Sequence, residues 1–156
     1  MKRLAVGTEA PDFQAYSHEG SMVSLSELLK KGPVVLFFYP KDFTAGCTAQ
    51  ACTFREMHDE FNKLGSTIIG ISADSNESHR QFAQKYKLPF YLVSDKEKTL
   101  HRKYQVGKHW GVMPERITFV VDTDGRIQYV FDSAFYVNKH CTNALEKIHQ
   151  LIPNTL

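Results

Sequence analysis

Residues 37–56 read FFYPKDFTAGCTAQACTFRE, and this stretch contains the features that decide the fold. The apolar run Val34–Tyr39 leads into it and is typical of a strand buried on both faces. A short polar loop begins at Pro40, and a helical pattern then carries Cys47 at its start and Cys52 five residues later. We therefore predict a strand, a loop and a helix, with a cysteine in the first turn of the helix.

The sequence on both sides of this stretch alternates between strand and helix patterns. Upstream, extended segments over residues 13–16 and 22–24 predict an N-terminal β-hairpin, and a brief helix follows and ends at Gly32. Downstream, apolar periodicity predicts strands over 67–73 and 91–94, a hairpin of strands over 117–122 and 127–131, and helices over 45–64, 75–86, 100–104 and 143–152.

Strands that alternate with helices, followed by a hairpin and a last helix, indicate an α/β fold. We expect one domain over residues 1–156, with a central mixed β-sheet flanked by helices on both faces. A chain of 156 residues is long enough to bury about 70% of its unfolded surface. Ligands of such sheets bind beyond the carboxyl ends of the strands, and the loop before Cys47 is predicted to lie there.

Composition excludes several classes of function. The net charge is only +2, and the basic residues are scattered, so neither a nucleic acid nor a membrane surface is an expected partner. No stretch approaches the roughly 20 apolar residues that a membrane-spanning helix needs. The first residues do not form an apolar run of the signal-peptide type, so we expect a cytoplasmic protein whose 3 cysteines are reduced at rest.

Cys47 has two readings on local sequence alone. The unpaired N–H groups and the positive end of a helix favour a thiolate, Gly46 allows a substrate close to the backbone, and the Thr44 hydroxyl is within reach. Alternatively, Cys47 is a small buried hydrophobe and Thr44 is only a helix N-cap. Helix position alone leaves both readings open.

The spacing of Cys47 and Cys52 limits what the pair can do. On an ideal helix, residues five apart have Cα atoms about 8.7 Å apart, whereas a disulfide needs at most about 7 Å. Either the two cysteines never pair, or pairing requires the first helical turns to unwind. The same spacing disfavours a zinc site, and no histidine pair completes one.

The pattern Pro40-x3-Thr44-x2-Cys47 resembles the active-site motif of the peroxiredoxins, which are thiol peroxidases of thioredoxin-like fold. A cysteine five residues later resembles the peroxiredoxin Q / bacterioferritin comigratory protein subfamily in particular. The resemblance extends over nearly the whole chain, from GTEAPDF at residues 7–13 to RITFVVD at residues 116–122.

This resemblance implies a role for each matching residue. Cys47 is then the peroxidatic cysteine and Cys52 the resolving one, Thr44 and Arg116 complete the peroxide pocket, and Pro40 shields the thiolate. The implied substrates are hydrogen peroxide and organic hydroperoxides, and the implied reductant is thioredoxin or a similar dithiol, with no cofactor. The implied Cys47–Cys52 disulfide is intramolecular, so a monomer is the simpler expectation.

Other residues and functions stay as alternatives. Cys141 is read as an incidental thiol or an accessory redox group, and Gln50 stands where the family frequently has Glu. A thioredoxin-like disulfide reductase would need two cysteines at Cys-x2-Cys spacing, which the sequence lacks. A thiol redox sensor or holdase would be oxidised once, without turnover.

Overall fold

The computed structural model describes residues 4–109 and 113–152 of the chain. It contains short strands and helices that alternate along most of the sequence. In chain order they are β1 (Gln14–Tyr16), β2 (Met22–Ser24), α1 (Leu25–Leu29), β3 (Val34–Phe38), α2 (Ala45–Glu56), α3 (His58–Lys63), β4 (Thr67–Ser72), α4 (Asn76–Tyr86), β5 (Tyr91–Ser94), α5 (Thr99–Lys103), β6 (Lys108–His109), β7 (Met113–Pro114), β8 (Ile117–Val121), β9 (Ile127–Asp132) and α6 (Val137–Leu151).

Five of the strands form a mixed sheet in the order β5-β4-β3-β8-β9. The β3–β4 and β4–β5 pairs are parallel, and the β3–β8 and β8–β9 pairs are antiparallel. All residues of β3 are buried, because this central strand is covered on both faces. The predicted mixed sheet is confirmed.

Alternate residues of β3 enter two separate hydrophobic cores, as the two-residue period of a strand requires. Leu36 and Phe38 face one core, which the N-terminal hairpin β1–β2 and the helices α1 and α5 help to cover. Val35 and Phe37 face the other core, which α2, α4 and α6 cover. The predicted helices on both sides of the sheet and the predicted N-terminal hairpin are therefore confirmed. None of the helices in the described ranges combines the length and the apolarity that crossing a membrane requires.

The helix predicted over residues 45–64 is interrupted at Met57, which separates α2 from α3. Met57 has φ −100° and ψ 6°, outside the usual helical values. Phe54 before the break and Phe61 after it are both fully buried in one core, and their ring centroids lie 6.0 Å apart.

The last helix begins at Val137, six residues before the predicted start. Its first turns contain residues of modest helix propensity, which is why periodicity alone did not reveal them. His140 and Cys141 are fully buried there, so packing stabilises these turns where propensity does not.

Candidate active site

The reactive loop, residues 39–44, joins the carboxyl end of β3 to α2. Tyr39 continues the strand, since its N–H donates to the carbonyl of Ile71 at 3.1 Å. Cys47 follows in the first turn of α2 and is 1% exposed. The loop thus lies at the carboxyl edge of the parallel strands, as predicted from the order of elements.

Thr44 occupies the N-cap position of α2 but does not cap it with its side chain. Its backbone is extended, and its hydroxyl donates instead to the carbonyl of Lys41 at 2.9 Å. Thr44 is therefore the N-cap residue by position, but it lacks the side-chain hydrogen bond that a threonine N-cap usually makes. Because the hydroxyl hydrogen is committed to Lys41, the oxygen lone pairs can still accept a hydrogen bond. The N–H groups of the first helical turn also remain available to a ligand.

Arg116 directly precedes β8, and its side chain is buried rather than solvated, at 7% exposure. A Cβ placed on Gly46 would lie 3.1 Å from Nη2 of Arg116. That distance is tighter than an ordinary contact, so glycine at position 46 lets the guanidinium approach the turn that carries Cys47. The structure thus brings a permanent positive charge beside this turn.

Gln50 is the residue that holds the guanidinium, and its role was missed in the sequence. Its fully buried side-chain carbonyl accepts a hydrogen bond from Nη1 of Arg116 at 2.6 Å. Since Gln50 is neutral, it orients Arg116 without cancelling its charge. The signal was present in the spacing, because Gln50 lies three residues after Cys47 and so on the same face of α2.

Cys52 lies on the same uninterrupted helix and is half-buried. All three cysteines of the chain carry free thiols. The structure therefore shows the separated arrangement of Cys47 and Cys52 that ideal helix geometry predicts. Pro40, in the loop before Thr44, is half-buried. The described geometry thus places Thr44 and Arg116 next to the first turn of α2 and leaves Cys52 further along it.

His140 is a fully buried residue of α6 near Arg116, and its surroundings keep it neutral. Burial lowers the pKa of His140 to about 4, and the nearby positive charge of Arg116 contributes to the shift. Nε2 of His140 is 2.8 Å from the Ser133 carbonyl, which can only accept, so Nε2 carries the hydrogen. Nδ1 is then the acceptor for the Thr118 hydroxyl at 2.8 Å. A neutral His140 adds no second positive charge beside the guanidinium.

Asp42, Asp74 and His79 place possible metal-ligand atoms within 4.8 Å of one another. Each group already accepts or donates hydrogen bonds within the protein, including a 2.7 Å contact between His79 Nδ1 and Asp42 Oδ2. A cation would have to displace those bonds. The cluster therefore fits an internal polar network better than a metal centre.

A model of the AhpC/TSA family matches residues 6–130 of the chain. The chain belongs to the AhpC/TSA family. It is 42% identical over 150 residues to the chloroplastic peroxiredoxin Q of Sedum lineare, covering 96% of this chain and 80% of that protein. The crystal structure of peroxidoxin BcpB from Mycobacterium tuberculosis matches with a TM-score of 0.87 at 35% identity, over 94% of this chain and 97% of that one. The bacterioferritin comigratory protein of Xanthomonas campestris matches with a TM-score of 0.84 at 30% identity, over 94% and 99% of the two chains.

Membership of the AhpC/TSA family makes the chain a thiol-dependent peroxidase with a thioredoxin-like fold. Proteins of this family act on peroxides and draw electrons from thioredoxin-type reductants. The predicted likeness to the peroxiredoxin Q / bacterioferritin comigratory protein subfamily, the fold class and the peroxidase activity are all confirmed.

The predicted cytoplasmic location is wrong. The Sedum lineare relative and further plant relatives of this AhpC/TSA chain are named chloroplastic. Our prediction rested on the composition of the folded chain and on the lack of an apolar run near Met1. Neither property separates one compartment from another, because a peroxidase needs the same core and the same reduced thiols in each.

Proposed function

We propose that Cys47 is the peroxidatic nucleophile of this peroxidase and that Cys52 is its resolving partner. One arrangement carries the assignment: Cys47 lies in the first turn of α2, where the N-cap side chain leaves the helix N–H groups free and buried Arg116 borders the turn. Positive charge and free donors at that place favour the thiolate, which is the nucleophilic form of cysteine.

In the first step the Cys47 thiolate attacks one oxygen of the peroxide. An S–O bond forms, the O–O bond breaks, and the leaving oxygen takes a proton and departs as water or an alcohol. Cys47 becomes a sulfenic acid. Arg116 and the N–H groups of the first turn stabilise the charge that develops on the two oxygens. The Thr44 hydroxyl oxygen accepts a hydrogen bond from the peroxide O–H and so orients the peroxide, and Pro40 shields the thiolate from water.

In the second step the Cys52 thiolate attacks the sulfur of the sulfenic acid. An S–S bond forms, the S–O bond breaks, and the oxygen leaves as water. Because the Cα atoms are about 8.7 Å apart on an intact helix, the first turns of α2 unwind before this bond can form. A dithiol such as thioredoxin then reduces the disulfide by thiol–disulfide exchange and is itself oxidised.

We propose hydrogen peroxide and organic hydroperoxides as substrates. Alkyl peroxide reduction is the activity named for the Xanthomonas campestris protein that the chain resembles, which supports the second class. We also propose that residues 1–156 form one domain that acts as a monomer, since both cysteines of the cycle lie on one helix of one chain.

The assignment is tested by peroxide consumption coupled to thioredoxin, thioredoxin reductase and NADPH. Cys47→Ser should abolish turnover. Cys52→Ser should still form a sulfenic acid at Cys47, trapped by dimedone, but should turn over poorly. Cys141→Ser is the matched control and should retain turnover, because Cys141 is a buried residue of α6 and lies outside the reactive loop and α2. Turnover in Cys47→Ser would refute the assignment, and a single stoichiometric oxidation in the unmodified protein would indicate a redox sensor.

A further inference from the structure

Asp42 is an acidic residue in the reactive loop whose side chain faces the protein interior. It is 4% exposed, although the loop residues on either side of it, Lys41 and Phe43, are exposed. Burying a carboxylate is costly unless hydrogen bonds compensate it. The position of Asp42 therefore calls for an explanation that an ordinary surface loop does not provide.

Three side chains donate to the Asp42 carboxylate. The Tyr39 hydroxyl donates to Oδ1 at 2.6 Å, the Ser78 hydroxyl donates to Oδ2 at 2.8 Å, and Nδ1 of His79 lies 2.7 Å from Oδ2. The backbone N–H of Asp42 donates to Asp74 at 2.8 Å. We call these groups the Asp42 network.

The Asp42 network connects the reactive loop to three parts of the fold. Tyr39 directly follows β3, Asp74 follows β4, and Ser78 and His79 belong to α4. Hydrogen bonds to an ionised group are shorter and stronger than those between neutral groups, so the carboxylate holds these parts together more firmly than a neutral side chain would.

Two partners of Asp42 are fixed by buried contacts. Nδ1 of His79 lies 2.7 Å from Oδ2 of Asp42 and donates to it, and Nε2 lies 3.3 Å from the Val93 carbonyl. Burial, together with the charge of Asp42, raises the pKa of Tyr39 well above its ordinary value, so its hydroxyl stays a donor.

Phe43, directly after Asp42, has a φ of 68°. A bulky residue rarely adopts this left-handed conformation, and the surrounding structure must impose it. The Phe43 ring packs edge-on against Phe82 of α4, with centroids 5.1 Å apart. Asp42 thus holds the loop against α4 through hydrogen bonds to its carboxylate, and Phe43 does so through ring packing.

We propose that Asp42 is a positioning residue for peroxide reduction. Held by Tyr39, Ser78 and His79, its carboxylate fixes the loop in the conformation that presents Pro40 and Thr44 to the peroxide at Cys47. Asp42 acts through those residues, since its described hydrogen bonds go to the network and not to the cysteine. This inference rests on the proposed role of Cys47.

Asp42→Asn tests the proposal because it keeps the size of the side chain but removes the charge and one acceptor. We expect the second-order rate constant of Cys47 with hydrogen peroxide, measured in a single turnover by rapid mixing, to fall by about tenfold to a hundredfold, the usual effect of misplacing a reacting group. The rate of Cys47 alkylation by iodoacetamide should change by no more than about twofold, since alkylation requires the thiolate but not the peroxide-binding loop. Tyr39→Phe, which removes one donor and keeps the ring, should lower the peroxide rate less.

Asp95→Asn is the matched control. Asp95 is also a buried aspartate that contacts a histidine, with Oδ2 lying 2.6 Å from Nδ1 of His101, but it precedes α5 and lies outside the reactive loop. Its replacement should lower stability and leave the peroxide rate unchanged at temperatures below unfolding.

The outcomes separate this inference from the proposed function. Fast peroxide oxidation of Cys47 in the unmodified protein, in Asp42→Asn and in Tyr39→Phe would refute the role of Asp42 alone. Equal losses of peroxide and iodoacetamide reactivity would also refute it, because they would indicate general loss of the site. Slow oxidation of Cys47 in the unmodified protein would refute the proposed function, and the role of Asp42 with it.

Discussion

Ala49→Gly should accelerate disulfide formation between Cys47 and Cys52 without accelerating the reaction with peroxide. Ala49 is exposed and lies on α2 between the two cysteines, so its replacement removes no core packing. Glycine is about 1 kcal/mol less favourable than alanine in a helix interior. The substitution should therefore lower the cost of unwinding this part of α2 by about that amount.

A change of about 1 kcal/mol corresponds to about a fivefold change in an equilibrium constant. If unwinding is a rapid equilibrium before the attack of Cys52, the disulfide should form about fivefold faster. The first step should hardly change, because the folded form of the helix still predominates. Gln84→Gly is a suitable control, since Gln84 is exposed in the interior of α4, away from both cysteines.

The assay mixes reduced protein with one equivalent of hydrogen peroxide and stops the reaction at intervals with dimedone and an alkylating reagent. Mass spectrometry then measures the sulfenic acid at Cys47 and the Cys47–Cys52 disulfide separately. An unchanged rate of disulfide formation in Ala49→Gly would show that unwinding between the cysteines is not part of the barrier. Acceleration of the same size in Gln84→Gly would show that the effect is global.

Two further predictions concern buried groups near α6. Burial lowers the pKa of His140 to about 4, so the unfolded chain binds a proton near pH 6.5 and the folded chain does not. Acidification from pH 6.5 to about 4 should therefore lower the free energy of unfolding by up to about 3 kcal/mol. Urea unfolding at pH 7 and at pH 4.5 measures this loss. The same loss in His140→Gln would show that His140 is not its source. Burial, with the charge of Glu60, raises the pKa of Cys141 to about 12, so iodoacetamide at pH 8 should leave this thiol unlabelled in the native protein. Peptide mapping after labelling measures this, and rapid native labelling of Cys141 would show that the thiol is accessible.

Periodicity predicted the elements whose environment is uniform along their length. The strands β3 and β8 were visible in the sequence because each is buried along its whole length. The start of α6 was not visible, since its first turns are stabilised by burial of His140 and Cys141 and not by propensity. A one-residue break such as that at Met57 leaves the apolar spacing intact and so has no signature in it.

The residues of the candidate site were likewise predictable from the sequence only in part. Cys47 and Thr44 are close in sequence, and their spacing was sufficient to associate them. Arg116 required the family resemblance, because an isolated arginine before a strand is usually solvated. The Asp42 network was not predicted, since its partners lie 37 residues apart in the case of His79, and contacts of that separation depend on the fold.

The same feature of α2 explains both its reactivity and its capacity to unwind. A side-chain N-cap typically stabilises a helix by about 0.5–2 kcal/mol, and Thr44 does not provide one because its hydroxyl donates to Lys41. The missing cap leaves N–H groups for the peroxide and also lowers the cost of opening the first turns. Further along α2, Phe54 is fully buried and stacks on Phe37 with centroids 4.5 Å apart, so the second half of the helix is held in the core.

The part of the chain that unwinds is therefore limited at both ends. The Asp42 network holds the chain before Thr44, and Phe54 holds it after Cys52. Between these points the buried side chains of α2 are only Cys47, Gln50 and Ala51, which together remove little apolar surface from water. Opening the segment that brings the two sulfur atoms together thus exposes little apolar surface, and its main cost is the hydrogen bond between Gln50 and Arg116.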